Sequence, residues 1–414
     1  MVSGSTNLRN RNVSSVRSSN INTSQGGNGE KGYILSNPII GKVLAAIALF
    51  AFVSGISTFQ NAKIAQVRVA NTNDSSWCDK VKNARSTLDP SLHIEVPCGE
   101  MKPAKSAVVA YITAGVSKEK ASRTVFSASD YVDGVMALGA SLNDHLGPQS
   151  HKLLLLRDDF IPTLPTDVLE DLKKIGWTIG IAPIVDIDDK FVPSFGRYKT
   201  VYSKISILGL SEYECVLLLD ADTLVIDGID DLMTCDILKP DFRAAGGLDL
   251  YRGRWRHFNT GSILWRPESA EMSRVYALTK DPNFMKKFES DQIFSNTVYP
   301  DRENVVVNEK LINGEEVDPK ELGSIAHLPW AYNAQTHLEY QRPQFWDEHV
   351  SSLKIMHYTQ KKGWQCDKRY VEPPPLSPKR PKISDCKMDM DCACHEGYRW
   401  HQYLQKAREY VKTK

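Results

Sequence analysis

At 414 residues the chain is too long for one small domain and fits one large domain with appendages. A net charge of +1 removes the general electrostatic argument for a nucleic-acid or other polyanionic partner. Aromatic content of 9% is ordinary for a globular protein, and disorder-type composition is confined to the ends.

Residues 1–37 are rich in Ser, Asn and Gly and read as a disordered cytosolic tail. Their charged side chains are Arg9, Arg11, Arg17, Lys31 and the single acid Glu30. Residues 38–59 are apolar and carry no charge after Lys42, which is about the length needed to cross a bilayer. The basic excess before them predicts a single-pass type II signal anchor with the C-terminal part in the lumen of the endoplasmic reticulum or Golgi. A cleaved signal peptide is the alternative, with a basic region unusually long for one. Asn73-Asp-Ser75 is a glycosylation sequon just beyond the span. Residues 60–105 are polar, carry Pro90, Pro97 and Pro103, and read as a stem.

The folded domain is expected over 106–365. Residues 107–113 form a first strand, and 114–123 a polar insertion. Residues 130–142 follow as a helix with Val135, Leu138 and Leu142 on one face. Strands at 151–156 and 177–183 flank a helix at 165–175, and a helix at 199–208 leads into the apolar run 215–219. Further apolar segments lie at 244–248, 260–265, 290–296, 305–307 and 353–357. Strands alternating with helices predict an α/β fold with a doubly wound, mostly parallel sheet of Rossmann type.

The run 215–219 is aliphatic without alternation, as in a strand buried on both faces. It ends in Asp220-Ala221-Asp222, at the strand end where open α/β sheets bind ligands. Two carboxylates one residue apart can reach one hard cation, and a cation so held can neutralise a bound diphosphate. Alone, Asp-x-Asp also fits a plain strand-to-loop turn.

Of the eight cysteines, Cys215 and Cys235 lie in or after apolar segments and read as ordinary buried thiols. Cys78 and Cys98 flank a short segment and are expected to pair. Cys366, Cys386, Cys392 and Cys394 cluster in a C-terminal extension, 366–414, which the Pro-rich run 373–381 carries onto the domain surface. Disulfides in an oxidising compartment account for them, with zinc as the alternative because His395 adjoins.

The order of motifs resembles glycosyltransferase family 8, the glycogenin-like retaining nucleotide-sugar transferases, over about residues 107–364. The residues that carry it are the run 216–232 around Asp220 and Asp222, Phe258-Asn-Thr-Gly-Ser-Ile-Leu264, Ser290-Asp-Gln292 and Ile355-Met-His-Tyr-Thr-Gln-Lys-Lys-Gly-Trp364. The resemblance implies a GT-A fold, a UDP-sugar donor, and Mn²⁺ held by Asp220, Asp222 and His357. It places Tyr131 on the uracil ring and Thr113 near the nucleotide. It puts Lys362, with Lys361 as substitute, on the diphosphate, and Lys204, Asn259, Asp291 and Gln292 around the donor sugar. The donor-binding set is then Tyr131, Thr113, Asp220, Ala221, Asp222, Asn259, Thr260, Lys361 and Lys362. Asp291, Gln292 and Lys204 are the catalytic candidates. Lys362 stands one residue closer to His357 than in the family pattern, and the glycine of that loop is replaced.

The function this implies is Mn²⁺-dependent, retaining transfer from a UDP-sugar to a glycan, protein or small hydroxyl acceptor. One rival is an inactive relative that binds sugar nucleotides or glycans; the presence of both aspartates and the histidine weighs against it. The other is a metal-dependent phosphohydrolase or nucleotidyltransferase, in which the Phe-Asn-Thr-Gly and late His-Tyr motifs have no place.

Overall fold

The apolar runs become the strands of a seven-stranded sheet in the computed structural model. The structure describes residues 75–112, 128–185, 187–191, 201–238, 242–251, 254–285, 290–299, 325–366 and 396–414. The expected tail, span, polar insertion and segment 305–307 lie outside these, as does Thr113. Among the described residues, no helix is long and apolar enough to cross a membrane. Every described residue belongs to one unit, Ile56–Lys414.

Strands β1 (Ser106–Ile112), β2 (Ser150–Arg157), β3 (Thr178–Ala182) and β4 (Cys215–Leu219) pair in parallel, in the order β3-β2-β1-β4. Because β2 lies on one side of β1 and β4 on the other, the crevice for a ligand opens between the carboxyl ends of β1 and β4. Alternate residues explain why the runs are apolar throughout. Val108, Ala110 and Ile112 pack into one core, and Ala107, Val109 and Tyr111 into a second on the opposite face. Helices α1 (Ser75–Ala84), α2 (Ala128–His145) and α3 (Thr166–Lys174) are described up to this point, and α2 turns Val135, Leu138 and Leu142 into the first core.

β5 (Thr223–Val225) follows the aspartates. β6 (Ala244–Tyr251) and β7 (Arg254–Trp265) form an antiparallel pair, with β7 antiparallel to β4 and β8 (Ile325–His327) parallel to β6. The sheet is therefore parallel on one half and mixed on the other. A second, three-stranded sheet has the order β5-β10-β9, built with β9 (Ala334–Gln335) and β10 (Ile355–His357). The register sets His357 opposite Thr223 and beside Gln335. That pairing carries a residue from late in the chain to the two aspartates. The chain also contains α4 (Ser269–Lys280), α5 (Asp291–Val298) and α6 (Gly397–Thr413).

Four expectations change. The helix read at 199–208 is a 3-10 helix, Tyr202–Gly209, buried along nearly its whole length. A segment covered on all sides is placed by packing rather than by helix propensity. Residues 75–105, read as stem, lie on the domain instead. Trp77, Val81, Leu88, Leu92 and Ile94 are buried in the second core, and Glu95 exchanges main-chain hydrogen bonds with Ile181 at 2.8 and 2.9 Å. Their apolar side chains are spaced too irregularly for a periodic signal. Cys215 and Cys235 are not free thiols but a disulfide, because the turn Asp230–Met233 packs back toward the start of β4. Helix α6 is more than a surface extension: Trp400, Leu404 and Ala407 enter the first core beside α2.

Cys78 and Cys98 are bridged, as expected. Cys366 is also disulfide-bonded, to a residue outside the described ones, which removes it from a zinc site. Mass mapping of unreduced peptides should recover Cys78–Cys98 and Cys215–Cys235, and show Cys366 bridged to one of Cys386, Cys392 or Cys394. Complete reduction should lower stability by about 2–5 kcal/mol per bridge lost. A free thiol at Cys215 or Cys235 would overturn that pairing.

Candidate active site

The site grows from the end of β4. Asp220 N–H donates to Gly261 O at 2.9 Å, and the Asp220 carbonyl accepts from Thr223 N–H at 3.0 Å and Thr223 Oγ1 at 2.7 Å. This tight turn holds the Asp220 and Asp222 carboxylates and buries Ala221 between them. On β10, His357 is 3% exposed, and its Nε2 lies 3.5 Å from Asp222 Oδ1. One ligand atom from each of Asp220, Asp222 and His357 falls within 4.8 Å of the others. The approach depends on Gly261, where an added Cβ would stand 2.2 Å from His357 Cε1.

Two lysines close the cluster. Lys204 Nζ lies 2.6 Å from Asp220 Oδ1 and 3.6 Å from Asp291 Oδ2. Lys362 Nζ contacts Asp222 Oδ2 and donates to the Tyr358 and Thr359 carbonyls, each at 3.1 Å. Burial works against the Asp222 charge, but the Lys362 ammonium in contact with it outweighs burial and holds the carboxyl well below its usual range. Burial raises Asp220; the nearby Asp222 and Asp291 carboxylates add to this, and Lys204 opposes it. Lys204 itself is held protonated, since Asp220 and Asp291 overcome its burial. The Lys204–Asp220 contact is an ion pair, since 2.6 Å with a second carboxylate behind the ammonium is the geometry of a charged contact. Three carboxylates thus face two ammonium groups, a balance that favours an added cation.

The donor set fits a cation. Two carboxylate oxygens with one imidazole nitrogen suit Mn²⁺ better than Ca²⁺, which takes oxygen alone.

Beside this cluster lies a floor of polar side chains. Thr260 Oγ1 donates to Asp291 Oδ2 at 3.2 Å. Asn259 Nδ2 lies 3.0 Å from Gln292 Oε1 and 3.3 Å from Asp249 Oδ1, and Gln292 Nε2 donates to Asp249 Oδ2 at 2.9 Å. Asp291 opens α5, whose N-cap Ser290 accepts from Ile293 N–H at 3.3 Å; the cap turns Asp291 and Gln292 to the site. Tyr131, at the start of α2, is half-buried against Trp364, with ring centroids 5.7 Å apart. The structure therefore gathers Asp220, Asp222, His357, Lys204, Lys362, Asp291, Gln292, Asn259 and Thr260 into one connected cluster, with Tyr131 beside Trp364 on the same loop as Lys362.

Asp249, Asn333 and Gln335 escaped the sequence reading. Gln335 Nε2 donates to Asp249 Oδ1 at 3.0 Å, and Asn333 bonds both Asn259 and His357. Asp249 did carry a signal, since like Asp220 it closes an apolar run. Asn333 and Gln335 lie in a segment without periodicity, where polar residues read as loop.

No family model matches the chain. It is 26% identical over 239 residues to inositol phosphorylceramide glucuronosyltransferase 1 of Arabidopsis thaliana, covering 57% of this chain and 40% of that protein. The chain thus spans well under half of that curated relative. Among solved structures it is similar to the glycosyltransferase GlyE of Streptococcus pneumoniae, at 17% identity and a TM-score of 0.42, covering 75% of this chain and 64% of that one. It is also similar to the galactosyltransferase LgtC in complex with donor and acceptor sugar analogues, at 15% identity and a TM-score of 0.41, covering 72% and 95%. Both scores lie below 0.5, so the functional reading rests on the geometry of the site itself.

Proposed function

We propose that this chain is a metal-dependent retaining glycosyltransferase of GT-A architecture, moving a sugar from a UDP-sugar to a hydroxyl of a glycan, protein or small-molecule acceptor. The observation that carries the reading is the convergence of Asp220, Asp222 and His357 at the carboxyl end of the central strand. Mn²⁺ bound there would supply positive charge for the departing diphosphate.

The chain's own residues do the rest. Lys362, with Lys361 beside it, adds charge at the leaving oxygens, so no acid is needed to protonate UDP. Gln292 offers an amide group and Asp291 a carboxylate to sugar hydroxyls, with Asn259 holding the Gln292 amide from behind. Tyr131 gives the base a flat apolar face. Asp291 is committed to Thr260 and Lys204, which favours attack by the acceptor on the same face over a covalent sugar–carboxylate intermediate.

The apolar segment 38–59 supports a type II anchor, and disulfides support a lumenal, Golgi-type compartment.

A UDP-release assay across a panel of UDP-sugars, with and without Mn²⁺, tests the reading. Release should depend on Mn²⁺ and on one donor or a few. A chain that binds UDP and Mn²⁺ but releases nothing from any donor and acceptor mixture is the inactive relative, and this reading fails.

A further inference from the structure

A histidine that serves a metal must present a lone pair, so its other ring nitrogen has to carry the proton. Here that other nitrogen meets an amide oxygen: His357 Nδ1 lies 3.0 Å from Asn333 Oδ1. An amide oxygen only accepts, so this contact requires Nδ1–H and leaves Nε2 bare. On the far side, Asp222 Oδ1 is 3.5 Å from Nε2, longer than an ordinary hydrogen bond, and Asp222 Oδ2 is taken by Lys362.

An amide turned by half a revolution would offer N–H to the ring instead, so something must hold Asn333 this way round. Its Nδ2 donates to Asn259 Oδ1 at 3.1 Å. The same Asn259 oxygen accepts the Gly261 main-chain N–H at 3.0 Å, and a main-chain N–H is always a donor. That identifies the atom as oxygen. At its other end, Asn259 Nδ2 points at Asp249, where the amides of Gln292 and Gln335 also deliver their N–H groups. The polarity of the chain is therefore set at both ends and handed along to the imidazole. Asn333 is 1% exposed and Asn259 7%, so water has little access to substitute for either.

Building on the cation reading of Asp220, Asp222 and His357, we propose that Asn333 is a positioning residue for that site. It receives His357 Nδ1–H and holds Nε2 bare toward the two aspartates. Its own orientation is dictated by the Gly261 main chain and by Asp249, both acting through Asn259.

Two measurements on the full chain test this. The first is long-range proton–nitrogen NMR of the metal-free protein at about pH 8. His357 should show a protonated Nδ1 and an unprotonated Nε2. The opposite tautomer overturns the proposal, whatever reaction the protein catalyses. The second is Mn²⁺ affinity, read from the electron paramagnetic resonance of the free ion. Asn333→Leu, close in size but apolar, should raise the Mn²⁺ Kd by ~10- to 100-fold, as for other lost partners of metal-bound histidines. Asn333→Asp keeps an acceptor at Nδ1 and should remain within about threefold of the wild type. If the leucine variant does not fold, Asn333→Ser serves; its hydroxyl can donate or accept, so mixed tautomers and an intermediate Kd are expected. Unchanged affinity in the variant lacking the acceptor, or an equal loss in Asn333→Asp, overturns the proposal. A wild type that binds no Mn²⁺ overturns the metal reading instead, and the tautomer result is then judged alone.

Discussion

Asp222→Asn should lower the proposed sugar transfer by at least ~100-fold, the scale for losing a main electrostatic contact in the transition state. The substitution keeps shape and volume but removes the charge from one of the three candidate ligands. It also removes the counter-charge of Lys362, whose ammonium contacts Asp222 Oδ2. The wild-type carboxyl is held far below its usual range, so at neutral pH it is ionised and the loss is that of a full charge. His357→Ala should behave similarly, with partial rescue by excess Mn²⁺, because two carboxylates remain to hold the ion. Initial rates at saturating donor, with a Mn²⁺ titration for each variant, provide the check. Full activity in EDTA would reject the metal assignment outright.

Arg85→Ala should cost about 3–5 kcal/mol of unfolding free energy, the range for breaking one side of a buried ion pair. Arg85 and Glu212 are almost wholly enclosed, at 3% and 0% side-chain exposure, and Arg85 Nε donates to Glu212 Oε2 at 2.9 Å. Removing the guanidinium leaves a carboxylate with no route to water. The double change Arg85→Met with Glu212→Leu should recover much of the loss, since apolar groups of similar volume carry no desolvation cost. Urea melts of the wild type and the two variants decide the matter. A shift below about 1 kcal/mol for Arg85→Ala would mean that residues 75–105 are only loosely attached to the sheet.

Much of the central sheet was legible because β1, β2 and β4 are apolar on both faces, and a long aliphatic run has few other fates. Asp220, Asp222 and His357 were legible for a related reason: each stands at or just beyond the end of such a run, where polarity changes abruptly. Asn333 and Gln335 carry no such contrast. Gln335 belongs to a two-residue strand and Asn333 to the 3-10 turn just before it, and both are placed by the pairing of that strand with β10, a contact between segments distant in sequence. The Cys215–Cys235 bridge was hidden by its own surroundings, since a cysteine in an apolar strand looks like any small buried residue. The segment 75–105 misled for the opposite reason. Its prolines and polar residues dominate the composition, while a few well-spaced aromatic and aliphatic side chains decide where it sits.

The last helix bears on the order in which the protein comes into being. Trp400, 1% exposed, lies directly against Gly363, where an added Cβ would meet its Cγ at 2.2 Å. Its ring also abuts Trp364, centroid to centroid at 6.1 Å, and Tyr358 Oη donates to Glu396 O at 2.9 Å. The ribosome makes residues 397–413 after every motif residue, and domains assemble as their segments become available. The sheet with its two aspartates can form while the loop carrying Lys362 still lacks its backing. The proposed nucleotide affinity should therefore arrive in a nascent chain later than sheet structure, at the moment α6 docks.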